Sequence, residues 1–377
     1  MTVFTTQVAI IGSGIQGSAT ARELALRGED VLVIEADYAG RHASGVNAGG
    51  VRTLSRHISE LPLSLASKRL WWRIGDLVDD DCGYRQSGQV SIAVDEETLA
   101  KFRTRNEEIT KAGIAHNEQL LTPEEVREIL PDFDGPIAGA AYVKDDGYAL
   151  PFHTTQAFRR KAESLGARYI EGDAVKTAEK VGKGWRLSTI SGHEIRANQV
   201  VNCTGAWAAE IGKLFGDDLQ IKPNGSMQMV TTRLRPFLSV VVGVSGQAMA
   251  AKQFENGTVV IGGGRRSPVD TKNKRADLTL SGLVLAARQA AKFFPILNNA
   301  TIARCWSGIE AFTPDGLPII SFGCDPTVLH AAGFSAHGFQ LGPAVGVVLA
   351  DLVTTGSTSI PIEPFSLNRF SKIGGHS

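Results

Sequence analysis

Residues 8–17 read Val8-Ala9-Ile10-Ile11-Gly12-Ser13-Gly14-Ile15-Gln16-Gly17. The four leading apolar residues predict a buried strand, and apolar residues at helical spacing over 15–27 predict a helix that ends at Gly28. A second apolar run follows at residues 31–34. Because two parallel strands need a crossover of this kind, residues 7–35 predict a βαβ unit.

The glycines of this stretch predict a dinucleotide site. Gly12 allows the tight turn out of the strand, Gly14 lets a pyrophosphate approach the backbone, and Gly17 lets the helix lie close to the sheet. The helix N-terminus offers free N–H groups and a positive dipole end to phosphates. Glu35 is placed to bond a ribose 2′-hydroxyl and would repel a 2′-phosphate, which disfavours NADP. This pattern alone leaves NAD and FAD both open.

Length and composition indicate a globular protein of two domains. The chain has 377 residues, of which 43% are hydrophobic and 21% are charged. Lys plus Arg and Asp plus Glu both number 39, so there is no basic surplus to predict nucleic acid as a partner. The apolar runs are too short to predict a signal peptide or a membrane span.

The four cysteines are scattered and contain no C-x-x-C pair, which predicts neither a disulfide framework nor a zinc site. No metal is therefore expected, and the sequence indicates a reducing compartment, the cytoplasm.

Further motifs favour a flavin over NAD. They lie at residues 40–50, 171–175, 202–207, 306–309, 313–318 and 333–340. The loop 40–50 is small, polar and rich in glycine, as an extended flavin cofactor pressed against the backbone requires. The stretch 333–340 reads Gly-Phe-Ser-Ala-His-Gly-Phe-Gln. With these motifs the chain resembles the D-amino acid oxidase family of flavoproteins over essentially its whole length. It is most similar to sarcosine oxidase β-type chains and to opine and hydroxyproline dehydrogenase subunits.

The resemblance implies an α/β fold with a discontinuous, Rossmann-like FAD-binding domain and an inserted α+β substrate domain built on a mixed sheet. The FAD-binding domain is expected to comprise residues 1–80, 150–215 and 311–377. The substrate domain is expected to comprise residues 81–149 and 216–310.

The resemblance also implies the residues that bind FAD, without a covalent bond. They are Gly12, Gly14, Gly17, Glu35, His42, Ser44, Asn47, Ala48, Gly49, Val175, Gly205, Trp207, Gly338, Phe339 and Gln340. The last three are expected to precede a helix that begins near Pro343, so that backbone N–H groups and the helix dipole stabilise negative charge on the reduced flavin.

The reaction implied is oxidation of the C–N bond of a small amine, amino acid or imino acid, by hydride transfer to the flavin. A substrate carboxylate would need a cation, preferably a forked guanidinium. The candidates are Arg52, Arg56, Arg265 and Arg266, and Arg52 is the first choice because it follows the flavin loop directly. Glu310 is a further candidate catalytic residue in this site.

The electron acceptor is predicted from Gln340, the third candidate catalytic residue. Monomeric sarcosine oxidases carry a lysine after the corresponding motif, and the uncharged Gln340 predicts a weak reaction with oxygen. We therefore expect a dehydrogenase that passes electrons to another acceptor. The resemblance to heteromeric β chains implies partner subunits for such an enzyme. The alternatives are an oxygen-using amino acid or sarcosine-type oxidase, an NAD-dependent dehydrogenase, and a non-catalytic FAD-holding subunit.

Overall fold

Two β-sheets and the helices around them make up the fold. The computed structural model describes residues 2–263 and 266–370. The strands are, in chain order, β1 (Val3–Ile11), β2 (Val31–Glu35), β3 (Gly50–Val51), β4 (Gln89–Ala93), β5 (Gln119–Leu121), β6 (Gly139–Val143), β7 (Gly147–Tyr148), β8 (Arg168–Glu171), β9 (Val175–Val181), β10 (Gly184–Thr189), β11 (Glu194–Asn202), β12 (Lys222–Thr231), β13 (Val241–Val244), β14 (Ala250–Gln253), β15 (Val259–Gly262), β16 (Arg266–Ser267), β17 (Val269–Asp270), β18 (Arg275–Ala276), β19 (Ile302–Phe312), β20 (Ile319–Phe322) and β21 (Val328–Ala332). The α-helices are α1 (Ile15–Leu26), α2 (Ala43–Val46), α3 (Leu61–Trp71), α4 (Ile74–Val78), α5 (Glu96–Lys111), α6 (Pro123–Ile129), α7 (Pro151–Ser164), α8 (Ala208–Lys213), α9 (Leu280–Phe293) and α10 (Gly338–Thr355).

The first sheet has the strand order β20-β21-β11-β1-β2-β8, with the β9–β10 hairpin joined to β11. The predicted βαβ unit is confirmed, because β1 and β2 pair in parallel with Val8 opposite Val31 and Ile11 opposite Ile34. All of β2 and the last four residues of β1 are buried. Strands covered on both faces read as continuous apolar runs, which is why their sequence shows no alternation.

Helix α10 packs against α1 on one face of this sheet. Gly342 and Gly346 permit the contact, since a Cβ built on Gly346 would lie 2.8 Å from the Cβ of Ala19. The helix is apolar and long enough to cross a bilayer, but 72% of it is buried inside the protein. Its length and composition therefore belong to a core helix.

The second sheet has the order β16-β12-β15-β14-β13-β4-β6-β5, and β19 pairs along the other edge of β12. It is mixed, because β13 runs parallel to β4 while the neighbouring pairs are antiparallel. Its strands come from two separate parts of the chain, residues 89–143 and 222–312. The α/β fold with a mixed second sheet is confirmed, whereas the domain boundaries stay a prediction.

One predicted element differs from the structure. Helix α10 begins at Gly338, although the sequence placed its start near Pro343. Proline is most common in the first turn, but here it is the sixth residue, so the carbonyl of Phe339 lacks its usual helical donor.

Candidate active site

A cavity of about 860 Å³ lies between the two sheets, at the carboxyl ends of β1, β2 and β11. Ligands of open parallel sheets bind at this edge, where the loops that follow adjacent strands diverge. The sequence-predicted residues that line it are Gly12, Gly14, Glu35, His42, Ser44, Asn47, Ala48, Gly49, Arg52, Val175, Gly205, Trp207, Glu310, Gly338 and Phe339. The structure thus brings together residues from every predicted motif except the stretch 313–318.

The turn between β1 and α1 requires its glycines. Gly12 has φ of 98°, and a Cβ there would lie 2.6 Å from the carbonyl oxygen of Cys203. A Cβ on Gly17 would lie 1.9 Å from the carbonyl oxygen of Gly12. Gly17 does not line the cavity, and its position matches the predicted role of close helix–sheet packing.

The N-terminus of α1 faces the cavity. Its N-cap residue is Gly14, which has no side chain that could accept hydrogen bonds from the first N–H groups of the helix. The N–H of Ile15 instead donates to Oγ of Ser44, at 2.9 Å. The remaining N–H groups and the helix dipole form a site suited to a pyrophosphate.

Glu35 ends β2 beside this turn. Its carboxylate accepts hydrogen bonds from the N–H groups of Ser13, at 2.7 Å, and Asp37, at 2.9 Å. Burial raises the pKa of Glu35, and the two hydrogen bonds only partly offset that effect. The carboxylate is therefore fixed in orientation at the cavity wall, where it can accept from a ribose hydroxyl.

The loop 40–50 forms one wall of the cavity. The Asn47 amide group braces it by donating to the carbonyls of Ala43 and Ser44 and by accepting from the N–H of Gly49. Gly49 has φ of 73°, and a Cβ there would lie 2.2 Å from the carbonyl oxygen of Ala149.

His42 lies at the start of α2, in the same wall. Its Nε2 is 3.0 Å from the carboxylate of Asp37, and its ring packs 4.6 Å from the ring of Trp207. Burial lowers the pKa of His42 despite the hydrogen bond to Asp37. The neutral imidazole thus has a structural partner on one side and an aromatic neighbour on the other.

These features fit FAD. An open helix N-terminus, a fixed acid beside it and a wall rich in glycine are joined in one cavity. That combination supplies a separate site for the pyrophosphate, the ribose and the flat ring of an extended dinucleotide.

An arginine cluster, consisting of Arg52, Arg56, Glu60 and His337, occupies a different part of the cavity region. Arg56 is 1% exposed, and its Nη1 has no hydrogen-bond partner among the described residues. Burial and the charge of Arg52 lower the pKa of Arg56 to about 9. Nδ1 of His337 lies 3.0 Å from one carboxylate oxygen of Glu60 and 3.3 Å from the other.

The protonation states in this cluster follow from burial. Burial alone would raise the pKa of Glu60, but the hydrogen bond from His337 and the charges of Arg56 and Arg52 outweigh it and lower that pKa. Burial and the charge of Arg56 lower the pKa of His337 to about 4. The cluster therefore holds two guanidinium groups and one buried carboxylate at neutral pH.

A buried ion pair holds the segment that carries both arginines. The Asp146 carboxylate accepts from the N–H groups of Thr53 and Leu54 and from the Thr53 hydroxyl. Nζ of Lys68 lies 3.0 Å from the same carboxylate. Removing one partner of such a buried pair typically costs about 3–5 kcal/mol, so the position of Arg52 depends on it.

Glu310 faces the cavity from β19, on the side of the second sheet. Its Oε2 has no hydrogen-bond partner among the described residues. Burial raises the pKa of Glu310 to about 7, although a hydrogen bond with Ser226 and the charge of Arg266 act in the opposite direction. Arg266 also lines the cavity, and its guanidinium lies 4.1 Å from the centre of the Phe312 ring. Arg265 lies outside the described residues.

Gln340 is not among the residues that line the cavity, and its assignment as a flavin contact and catalytic residue stays a prediction. As the third residue of α10 it is fully buried and its side-chain amide bonds Ser64 on α3. Ser67 and Trp71 donate to its backbone carbonyl. The side chain of Gln340 therefore packs between α10 and α3.

Several residues of the site carried no sequence signal. Asp146, Lys68, Glu60 and Ser226 belong to no motif that the sequence analysis used, and their roles depend on contacts between distant segments. The one signal in the sequence was Asp145-Asp146-Gly147, a composition typical of a turn whose backbone is held by a carboxylate.

Comparison with known proteins assigns the family. The family model described as DAO, FAD dependent oxidoreductase, matches residues 7–352. The chain belongs to the DAO family. Glycine oxidase from Geobacillus kaustophilus is 30% identical to this DAO-family protein over 97% of this chain and 98% of its own. Sarcosine oxidase subunit beta from Arthrobacter sp is 29% identical, over 96% of this chain and 90% of its own. The crystal structure of L-proline dehydrogenase from P. horikoshii shares 30% identity, covers 98% of both chains and has a TM-score of 0.90.

This DAO-family protein is therefore an enzyme, an FAD-dependent oxidoreductase. Family membership therefore excludes two of the alternatives, an NAD-dependent dehydrogenase and a non-catalytic FAD-holding subunit. It also confirms the predicted resemblance to sarcosine oxidase β-type chains.

We predict that Gly14→Val weakens FAD binding by about tenfold or more. A Cβ at position 14 would lie 2.8 Å from Oγ of Ser44, and the valine methyl groups would fill the space in front of the α1 N-terminus. Flavin absorbance after desalting, together with FAD titration of the apoprotein, measures the loss. Gly75→Val is the matched control, because a Cβ at Gly75 on α4 meets no atom within 4 Å. Equal FAD affinity of the two variants would contradict the placement of the pyrophosphate.

Proposed function

We propose that this enzyme oxidises the C–N bond of a small amino acid or imino acid. The observation that carries the proposal is a pair of buried, unpartnered polar atoms on one cavity: the donor Nη1 of Arg56 and the acceptor Oε2 of Glu310. Leaving such groups without partners is costly in a folded protein. A ligand with a carboxylate and an amino group supplies the missing partner of each.

The relatives accord with this substrate class. Their names specify glycine, sarcosine and L-proline, which are small amino or imino acids. Glycine and sarcosine carry no side chain and proline carries only its ring, so the main features shared by the three are a carboxylate and a nearby amine. The sequence favoured Arg52 for the carboxylate. The structure supports Arg56 beside it, because Nη1 of Arg52 already donates to the carbonyl of Leu54.

The chemistry then divides between cofactor and protein. FAD supplies the two-electron oxidant that accepts the hydride from the substrate carbon. Arg56 and Arg52 bind the substrate carboxylate and fix the orientation of its Cα–H bond. The carboxylate of Glu310 accepts a proton from the substrate ammonium, which frees the nitrogen lone pair to form the C=N bond as the hydride leaves. The resulting iminium product is hydrolysed by water.

Both an oxygen-using oxidase and a dehydrogenase subunit accord with the relatives, which include glycine oxidase and a sarcosine oxidase subunit. We propose that partner subunits accompany the chain if it acts as a dehydrogenase, as the name of the sarcosine oxidase relative suggests. A cytoplasmic location accords with the four cysteines, all of which are free.

The proposed function predicts reduction of the bound flavin by substrate without oxygen. We expect one or more of glycine, sarcosine, proline, hydroxyproline, D-amino acids and opines to bleach the flavin absorbance in an anaerobic screen. Reduction by a chemical reductant is the control that shows a competent flavin. A competent flavin that no amine, amino acid or imino acid reduces would falsify the proposal.

We predict that Arg56→Met raises the apparent substrate dissociation constant by about thirtyfold or more. Removing one partner of a buried, hydrogen-bonded charge pair costs about 2–5 kcal/mol, and each 1.4 kcal/mol is tenfold. Anaerobic flavin titration with substrate measures the change, and the flavin spectrum reports retention of FAD. Arg266→Met is the comparison, since that arginine lines the cavity near Glu310. A larger loss of substrate affinity in Arg266→Met than in Arg56→Met would contradict the prediction and assign the substrate carboxylate to Arg266, near Glu310.

We predict that Glu310→Gln removes an inflection near pH 7 from kcat/KM. Glu310 accepts the proton only when ionised, so kcat/KM of the unaltered enzyme should rise with pH through about 7. Glutamine cannot accept the proton, and the rate constant should fall by about 10²–10⁴-fold. Ser226→Ala is the control, because it removes a hydrogen bond that lowers the pKa of Glu310 and should move the inflection to higher pH. If the pH dependence of kcat/KM keeps the inflection in Glu310→Gln, the inflection belongs to another group and the prediction is wrong.

A further inference from the structure

Lys252 is a buried amine that the proposed reaction does not use. It lies on β14, is 4% exposed, and its Nζ has no hydrogen-bond partner among the described residues. Nζ lies 4.6 Å from the ring centre of Tyr148 and 4.5 Å from that of Phe254. Burial lowers the pKa of Lys252 to about 7. No carboxylate of the described chain forms an ion pair with this group, so its positive charge is uncompensated.

The amine lies directly behind the cavity wall. Side chains two residues apart on a strand point to the same face, and Ala250, which precedes Lys252 by two residues, lines the cavity. A Cβ built on Gly49 would lie 3.0 Å from Nζ. Gly49 and Gly50 both line the cavity, and Gly50 pairs with Tyr148 between β3 and β7. The segment of these two glycines, here called the Gly49–Gly50 wall, therefore lines the cavity and approaches Nζ at Gly49.

An aromatic pair is a weak substitute for a counter-ion. Cation–π contacts contribute about 0.5–2 kcal/mol, whereas taking an ammonium out of water costs several kcal/mol. A buried ammonium is therefore strongly stabilised by any negative charge that arises nearby. The proposed reaction generates such a charge, because a hydride adds two electrons and one proton to the neutral flavin ring and leaves it anionic.

We propose that Lys252 stabilises the anionic reduced flavin through the Gly49–Gly50 wall and thereby raises the midpoint potential of bound FAD. The inference rests on the proposed function in one respect, the placement of the flavin ring against the loop 40–50. In this role Lys252 acts through the electric field of its ammonium group. It contacts the wall of the site, donates no proton and forms no covalent bond.

Lys252→Met tests the proposal by a potential rather than by turnover. We expect the oxidised-to-reduced equilibrium of bound FAD to shift at least tenfold towards the oxidised form, which for a two-electron couple corresponds to about 30 mV towards lower potential. Lys252→Gln removes the charge with a polar side chain and should shift the potential in the same direction. Methionine in an aromatic site should leave the melting temperature unchanged or raise it, since replacing an unpaired buried charge with an apolar group is neutral or stabilising.

Lys180→Met is the matched control. Lys180 also lies over an aromatic ring, with Nζ 4.8 Å from the centre of the Trp185 ring, but it does not line the cavity. Its replacement should leave the flavin potential unchanged. The potential is measured by titration with a chemical reductant and a reference dye, so the result does not depend on substrate. An unchanged potential in both Lys252 variants overturns the inference even if amino acids reduce the flavin. A lowered potential supports it even if the substrate screen fails.

Discussion

The approach of α1 to the turn at Gly12 is the constraint on which the rest of the site depends. Gly17 lies so close to the Gly12 carbonyl that no larger residue fits without moving the helix away from β1. Because α10 packs on α1 through Gly342 and Gly346, such a shift would be passed on to α10, whose first turn borders the same cavity. One glycine contact thus sets the positions of both helix N-termini that face the ligand.

The distribution of unpaired charge separates the functional part of the molecule from its framework. Away from the cavity, buried charged groups are paired, as Lys68 is with Asp146 and His330 with Asp217. Arg56, Lys252 and Glu310 each retain an unpartnered polar atom, and all three lie in or directly behind the cavity wall. Arg105 and Arg159 also have one unpartnered nitrogen each, but they are ion-paired with Glu118 and Glu171. Unsatisfied buried groups cost stability, and natural proteins retain them chiefly where function requires them.

The parts of the fold that follow from local pattern could be predicted from the sequence. The βαβ unit, the three glycines and Glu35 needed only strand and helix spacing over some thirty residues. The structure has them there, although β1 begins at Val3, before the apolar run. The direction of single side chains could not be predicted. Gln340 lies in a motif next to the cavity, yet one helical position beyond Phe339 turns it towards α3. The pattern around Pro343 concealed this, because it placed residues 338–340 in a loop.

Contacts between distant segments could not be predicted from the sequence either. Asp146 orients the Arg52 segment from more than ninety positions along the chain, and Lys252 reaches Gly49 from the second sheet. Neither pairing follows from periodicity, since each depends on how the two sheets meet. The family resemblance supplied the cofactor and the motifs, but it did not supply these interactions, which lie outside the motifs.

The arrangement of charge gives a chain with equal numbers of acidic and basic side chains a cavity with two unlike regions. The arginine cluster contains two guanidinium groups and one buried carboxylate, and therefore attracts an anion. Glu310, on the side of the second sheet, is an acceptor whose charge is in equilibrium near neutral pH. A simple carboxylate would satisfy the first and leave the second unpaired, and a simple amine would do the reverse. Under the proposed function, a ligand that carries both groups compensates both, and discrimination arises from the penalty of leaving one buried group unsatisfied.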